Sequence, residues 1–171
     1  NDHYSELAHH YTRSGNMEKA VEYLHLAGQQ AVQRSANAEA ITHLTTALDL
    51  LKTLPDTRER AQQELTLQVT LRVPLQTTRG FSSPEVKATY TRARALCQQV
   101  GETRQLFPVL FGLRTFHHAR GEFRTARKLG EQLLDLAQRE QDPAFLVEAY
   151  RALGGTLFQL CEFAAAQAHL E

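Results

Sequence analysis

Apolar residues recur every three or four positions along almost the whole chain. In the stretch from Met17 to Arg34, Ala20, Leu24, Ala27 and Ala31 form one stripe at helical spacing. The same period predicts helices over about 3–13, 17–34, 38–54, 84–100, 103–119, 122–140 and 144–160. One more opens after Thr57, and a ninth starts near Phe163. Turn residues separate them: Ser14-Gly15-Asn16, Ser35-Ala36-Asn37, Pro55-Asp56, Gly101, Arg120-Gly121 and Gln141-Asp142-Pro143. Asn37 and Thr57 are expected to cap the helices that follow them. The segment RGFSSPE, 79–85, reads as a stop and a start. Gly80 is expected in the left-handed conformation, Ser83 as the N-cap, Pro84 at the first helical position, and Glu85 favourably placed in the first turn.

One stretch carries two periods. LTLQVTLRV, 65–73, alternates apolar and polar residues as a half-buried strand would. Yet Ala61, Leu65, Val69 and Val73 also lie on one helical stripe, and Leu67, Leu71 and Leu75 on a second. A lone strand among eight helices would have no partner. The expectation is therefore a helix with two apolar faces, packed between layers and bent or ended near Pro74.

Small residues recur inside this pattern. Ala20 follows Gly15 by five positions, Ala126 follows Gly121 by five, and Ala166 follows Cys161 by five. Ala40 and Ala47, and again Ala88 and Ala95, sit seven apart, and the second of each pair is followed by leucine. Two helices approach closely only where one presents a small side chain. Ala8, Ala20 and Ala27 are therefore expected at the closest approaches, with Tyr11 and Leu24 filling the adjacent grooves. A single helical hairpin cannot bury its own apolar face, so stacking on the next one must supply the core.

Leu7, Ala8, Tyr11, Gly15, Ala20, Leu24 and Ala27 together resemble the tetratricopeptide repeat, a helix–turn–helix unit of about 34 residues. Later copies match in part, with His117 or Leu157 where an aromatic is usual, and their spacing is longer. The resemblance implies an all-α, right-handed α-solenoid of antiparallel helix pairs, with about four to five repeats in one domain over residues 1–171. The segments 10–68 (HYTRSGNMEKAVEYLHLAGQQA onward) and 81–102 (FSSPEVKATYTRARALCQQVGE) are similar to the C-terminal repeat region of large bacterial signalling proteins. In those, a nucleotide cyclase or kinase module and an AAA/STAND-type ATPase precede the repeats. That resemblance implies a cytoplasmic sensor or scaffold segment. None of the ATPase or cyclase residues falls inside this chain. Both ends read as cut from something longer, and terminal repeats without polar caps are expected to support homodimerisation.

Composition narrows the function classes. Among 171 residues, 19 are Lys or Arg and 19 are Asp or Glu. Zero net charge disfavours a general nucleic-acid binder or a ligand of acidic membranes. No apolar run approaches the roughly 20 residues that span a bilayer. The two cysteines, Cys97 and Cys161, lie among helix-forming residues and read as two reduced core thiols. Eight histidines include the pairs His9-His10 and His117-His118, but helical neighbours point about 100° apart and cannot share one ion. HExxH, a GxSxG elbow and a P-loop are all absent, and the glycines of LGGT, 153–156, read as close-packing positions. No cofactor, metal or catalytic residue is expected, and the chain reads as a non-enzyme.

What remains is the groove that the first helix of each pair would line. Its expected residues are His9, Thr12 and Arg13, then Arg114, Thr115 and His118, then Arg151 and Phe158. Arginines beside an aromatic can hold an acidic or C-terminal peptide through charge-assisted hydrogen bonds. The expected partner is a protein or peptide, or another domain of the same chain. The alternative is a small-molecule effector lodged in the superhelix.

Overall fold

The computed structural model describes His3–Leu170. Nine α-helices follow one another among the described residues, with no strand: α1 (His3–Arg13), α2 (Met17–Gln33), α3 (Asn37–Leu51), α4 (Arg58–Arg79), α5 (Pro84–Val100), α6 (Thr103–Ala119), α7 (Phe123–Glu140), α8 (Pro143–Gln159) and α9 (Phe163–Leu170). Residues 65–73 are helical, as the lack of a strand partner required. Pro74 does not end α4, which runs on to Arg79. Its ring is buried, and Leu71 and Leu75 on either side are buried with it, so packing holds the helix where one backbone hydrogen bond is lost. The first of the two expected stripes is incomplete: Ala61 and Leu65 are buried, but Val73 is 44% exposed.

The helix ends follow local chemistry. Asn16 Oδ1 accepts from the Lys19 amide, Thr57 Oγ1 from Arg60, Ser83 Oγ from Val86, and Asp142 Oδ1 from Ala144. Asn37 is not a cap. Ser35 takes a positive φ of 59°, which starts α3 one residue early, so that Ala36 is the cap position and Asn37 the first helical residue. Gly80 has φ 82° but ψ 160°, so it is not left-handed helical. That region is open almost only to glycine.

The chain divides into two compact units, α1–α5 up to Gly101 and α6–α9 from Glu102. In the first, each helix packs on the next in sequence, and α2 also reaches α4. In the second, α6 to α9 pack in the same consecutive way, and α6 also reaches α8. Each unit is thus built of antiparallel helical hairpins stacked on one another.

Small residues sit where the helices come closest. Ala8, Ala20, Ala27, Ala40, Ala47, Ala126 and Ala166 are all buried. A Cβ on Gly28 would stand 2.7 Å from Leu44 Cγ, and one on Gly154 2.7 Å from Leu170 Cγ. The close-packing reading of LGGT therefore holds at Gly154. The fifth helix departs from expectation: Ala88 and Ala95 face solvent. The buried small residue is Ala93, on the stripe Val86, Tyr90, Leu96, Cys97 and Val100. Two residues seven apart do share a helical face, but here it is the outer one. Cys161 is likewise not a core thiol. It is exposed in the α8–α9 turn with φ 61°, whereas Cys97 is buried.

Candidate partner-binding face

The eight residues expected to line a groove divide between the two units. His9, Thr12 and Arg13 lie on α1. His9 and Arg13 are exposed and border a shallow depression of about 400 Å³ with Glu6, His10 and Ser14. Thr12 Oγ1 donates to Ala8 O at 2.8 Å, so its hydroxyl is used within its own helix.

The other five belong to the second unit. Arg114, Thr115 and His118 come from α6, and Arg151 and Phe158 from α8. Thr115 Oγ1 donates to Phe111 O at 2.9 Å, again within its helix. Phe158 is 56% exposed and meets Phe163 of α9 edge to face, with ring centroids 5.5 Å apart. Arg151 pairs with Glu148 one turn earlier at 2.6 Å. His118 is half-buried against the Phe123 ring of α7, at 5.2 Å. Burial first, and then the Arg114 charge, hold its imidazole below the ordinary histidine range.

Arg114 is tied into the unit by its own hydrogen bonds. Its half-buried side chain reaches across to α8. Nε donates to Thr156 Oγ1 at 3.2 Å, and Nη2 donates to the same oxygen at 2.8 Å and to Ala152 O at 2.6 Å. Both acceptors are neutral. No carboxylate pairs with Arg114 among the described residues, unlike Arg92 on Glu64 or Arg127 on Glu131 and Glu162. Burial, and then the nearby charge of Arg151, push its guanidinium below the usual arginine value. A guanidinium carries five N–H groups, and three are used here. Among the described residues, no hydrogen bond is made by Nη1. Gly155 lies alongside the bonded end of the group, where a Cβ would be 3.8 Å from Nη2.

The position of Arg114 was legible in the repeat register. Gly15, Gly121 and Cys161 all turn with positive φ, and the residues seven positions before them are Ala8, Arg114 and Gly154. The first and third are small because their helix meets its partner there. The long cation at the second breaks that rule, and departures of this kind concentrate at functional sites.

A second concavity lies in the same unit, a cleft of about 300 Å³ between α7, α8 and α9. Its floor includes Leu134, Leu153 and Leu157, and its rim carries Arg127, Glu131 and His169. Among the described residues, no three His, Cys, Asp or Glu side chains gather as metal ligands would, and no helix is long and apolar enough to cross a membrane.

No protein-family model matches the chain. No curated protein matches it either. Among solved structures, the chain is similar to BtubC (BKLC) from P. vanneervenii, with 20% identity over 98% of this chain and a TM-score of 0.39. It spans 59% of that protein's length. It is also similar to a Podosopora anserina putative kinesin light chain with nearly identical TPR-like repeats. Identity is 16% over 98% of this chain and 90% of that one, with a TM-score of 0.36; the Q17M variant of that protein gives 0.37 over 89% of its length.

Proposed function

We propose that the chain is a non-catalytic, TPR-like scaffold that binds a protein or peptide partner, or another domain of its own chain, on the α6–α8 face of the second unit. The observation that supports this most is Arg114. A guanidinium is held by neutral acceptors and, among the described residues, has no carboxylate partner. α8, on which Arg114 is anchored, also carries the exposed Arg151 and Phe158, a cation and an aromatic suited to an acidic segment. In the longer setting, we propose that such a segment works in a cytoplasmic bacterial signalling protein, relaying a bound partner to an attached cyclase, kinase or ATPase module.

The test is binding of the whole chain to an array of acidic and neutral peptides. Acidic peptides should bind, and Arg114→Gln combined with Arg151→Gln should weaken them at least tenfold. An array without any binder, or binders indifferent to both substitutions, would overturn the reading.

The α7–α9 cleft supports a second reading, a small-molecule effector site. Its roughly 300 Å³ lies at the lower end of ligand pockets, and it joins an apolar floor to a charged rim. A metabolite panel read by thermal shift separates the two, because a bound effector raises the melting point with its saturation.

A further inference from the structure

We propose that the cleft between α7, α8 and α9 binds a small organic amine, a monocation whose apolar body lies on the leucine floor and whose ammonium group is held by Glu131 and Asp135. The proposal rests on the reading of that cleft as an effector site and names the class of ligand it takes.

The shape follows from helix register. Arg127, Glu131, Leu134, Asp135 and Gln138 line the cleft from α7, at spacings that put them on one helical face. Leu153 and Leu157 of α8 are one turn apart, and so are Ala165 and His169 of α9. The cleft is therefore a trough of about 300 Å³ that runs lengthwise along the helices. Its floor is built before any ligand arrives. Leu153, Leu157 and Ala166 form a buried apolar cluster, and Leu134 packs against it.

Hydrogen bonding then selects the sign of the ligand. The walls carry two carboxylates and one guanidinium. That guanidinium is already committed to acids. Arg127 Nε donates to Glu131 Oε1 at 2.9 Å, and Nη1 donates to both carboxylate oxygens of Glu162, at 2.8 and 3.0 Å. Asp135 is bonded to Arg139, which lies outside the lining. Counting Glu162 and Arg139 as well leaves the acids in excess by one. His169 is the remaining titratable group of the lining, and its ring stacks on Tyr150 at 5.7 Å. An anion finds no uncommitted guanidinium on these walls.

A cation finds two acceptors. Among the described residues, Glu131 Oε2 and Asp135 Oδ1 make no hydrogen bond. The two residues are one turn apart on α7, where Cβ atoms stand about 5–6 Å from each other. An ammonium group has three donors and can bond both. The exposed Asp135–Arg139 pair, 63% and 70% open to solvent, yields readily to such a competitor. No three acidic, histidine or cysteine side chains gather among the described residues, and the floor offers hydrocarbon, so the matching cation is organic and not a metal ion.

The test uses the whole chain at pH 7.5 and constant ionic strength, with binding followed through the backbone amide signals of Glu131, Asp135, Leu157 and Ala165. Three probes share a phenyl body and differ in the head: 2-phenylethylamine, 2-phenylethanol and 3-phenylpropionate. Ethylamine supplies the head without the body. Phenylethylamine should give saturable shifts at these residues, with the other three at least tenfold weaker. Glu131→Gln combined with Asp135→Asn changes two exposed side chains and should abolish the preference for the amine over the alcohol. Ala165→Phe keeps every charge, fills the trough from an exposed position, and should weaken the amine about tenfold. Equal affinity for the amine and either of its phenyl analogues would overturn the proposal while leaving the cleft as an effector site. Amine binding untouched by the double substitution would do the same, as would ethylamine binding as tightly as phenylethylamine. No binder among these probes or the metabolite panel would remove the effector site itself.

Discussion

The hairpins α1–α2 and α6–α7 share their punctuation and differ in what holds them. Both turn on a glycine with positive φ, Gly15 and Gly121, and both bury an alanine five residues later. In α1–α2 the rest is small or aromatic. Ala8 is buried at the approach, Tyr11 lies parallel on Tyr23 with centroids 5.3 Å apart, and Asn16 caps α2. In α6–α7 the equivalent positions carry Arg114, His117 and Glu122. Glu122 supplies no side-chain cap. It instead accepts from His117 Nδ1 at 2.5 Å and Arg120 Nε at 2.8 Å, and Arg120 first, then His117, lower its carboxyl pKa. The repeat thus fixes backbone geometry through very few positions. Elsewhere one hairpin can be apolar and the other a polar assembly, and the polar one is the candidate for recognition.

The shared alanine should be the most sensitive position. Ala20→Phe puts a ring into a site with no accessible surface, and should destabilise the first unit by about 1–3 kcal/mol. Ala88→Leu, on the exposed face of α5, should stay within about 0.5 kcal/mol of the parent. Urea unfolding followed by circular dichroism checks both. Equal losses would mean that the buried small residues do not set the hairpin contacts.

The cap comes next in size. Asn16→Ala removes the acceptor for the Lys19 amide and should lower stability by about 1 kcal/mol in the same assay. Glu122→Ala, at the equivalent position, removes no cap and should do less, since its own carboxylate is exposed and its pair with exposed Arg120 contributes little. A Glu122→Ala loss as large as that of Asn16→Ala would erase the distinction drawn between the two turns.

Arg114→Met should alter stability by less than about 1 kcal/mol, because replacing a buried charge with an apolar side chain of similar volume is often neutral or stabilising. Nothing is orphaned by it: Thr156 Oγ1 still donates to Ala152 O at 2.8 Å. A loss above about 2 kcal/mol would make Arg114 a structural tie between α6 and α8, not a residue kept for a ligand.

Helix number, helix order and the small-residue contacts could be read from the chain because each rests on local chemistry: a turn glycine, a capping side chain, a 3.6-residue stripe. Errors arose where tertiary packing decides. Ala88 and Ala95 had the right spacing, but spacing does not say which face is buried, and the bulkier Tyr90–Leu96–Cys97 stripe took the core. Pro74 looked like a break, but its ring packs inward and α4 continues. The anchoring of Arg114 was not legible either. Its reach to Ala152 and Thr156 depends on how the neighbouring hairpin docks, which no single segment encodes.

The smallest expected effect separates the two units by pH. His25 of α2 is half-buried and lies 3.2 Å from Thr70 Oγ1 of α4. Thr70 already donates its proton to Thr66 O, so its oxygen accepts and His25 Nε2 carries the hydrogen. That bond survives protonation at Nδ1, so the penalty for charging the ring comes from burial, which lowers its pKa. The unfolded chain takes the proton near pH 6.5 while the folded chain resists until lower pH. The associated stability is therefore complete above about 6.5 and declines as pH falls below it. Comparing urea midpoints at pH 7.5 and 5.5, the parent should lose stability on acidification, and His25→Gln should remove the share belonging to the first unit. His118, depressed by burial and by Arg114, should keep the second unit acid-sensitive in that variant, and an undiminished decline in the first unit would rule out His25 as its source.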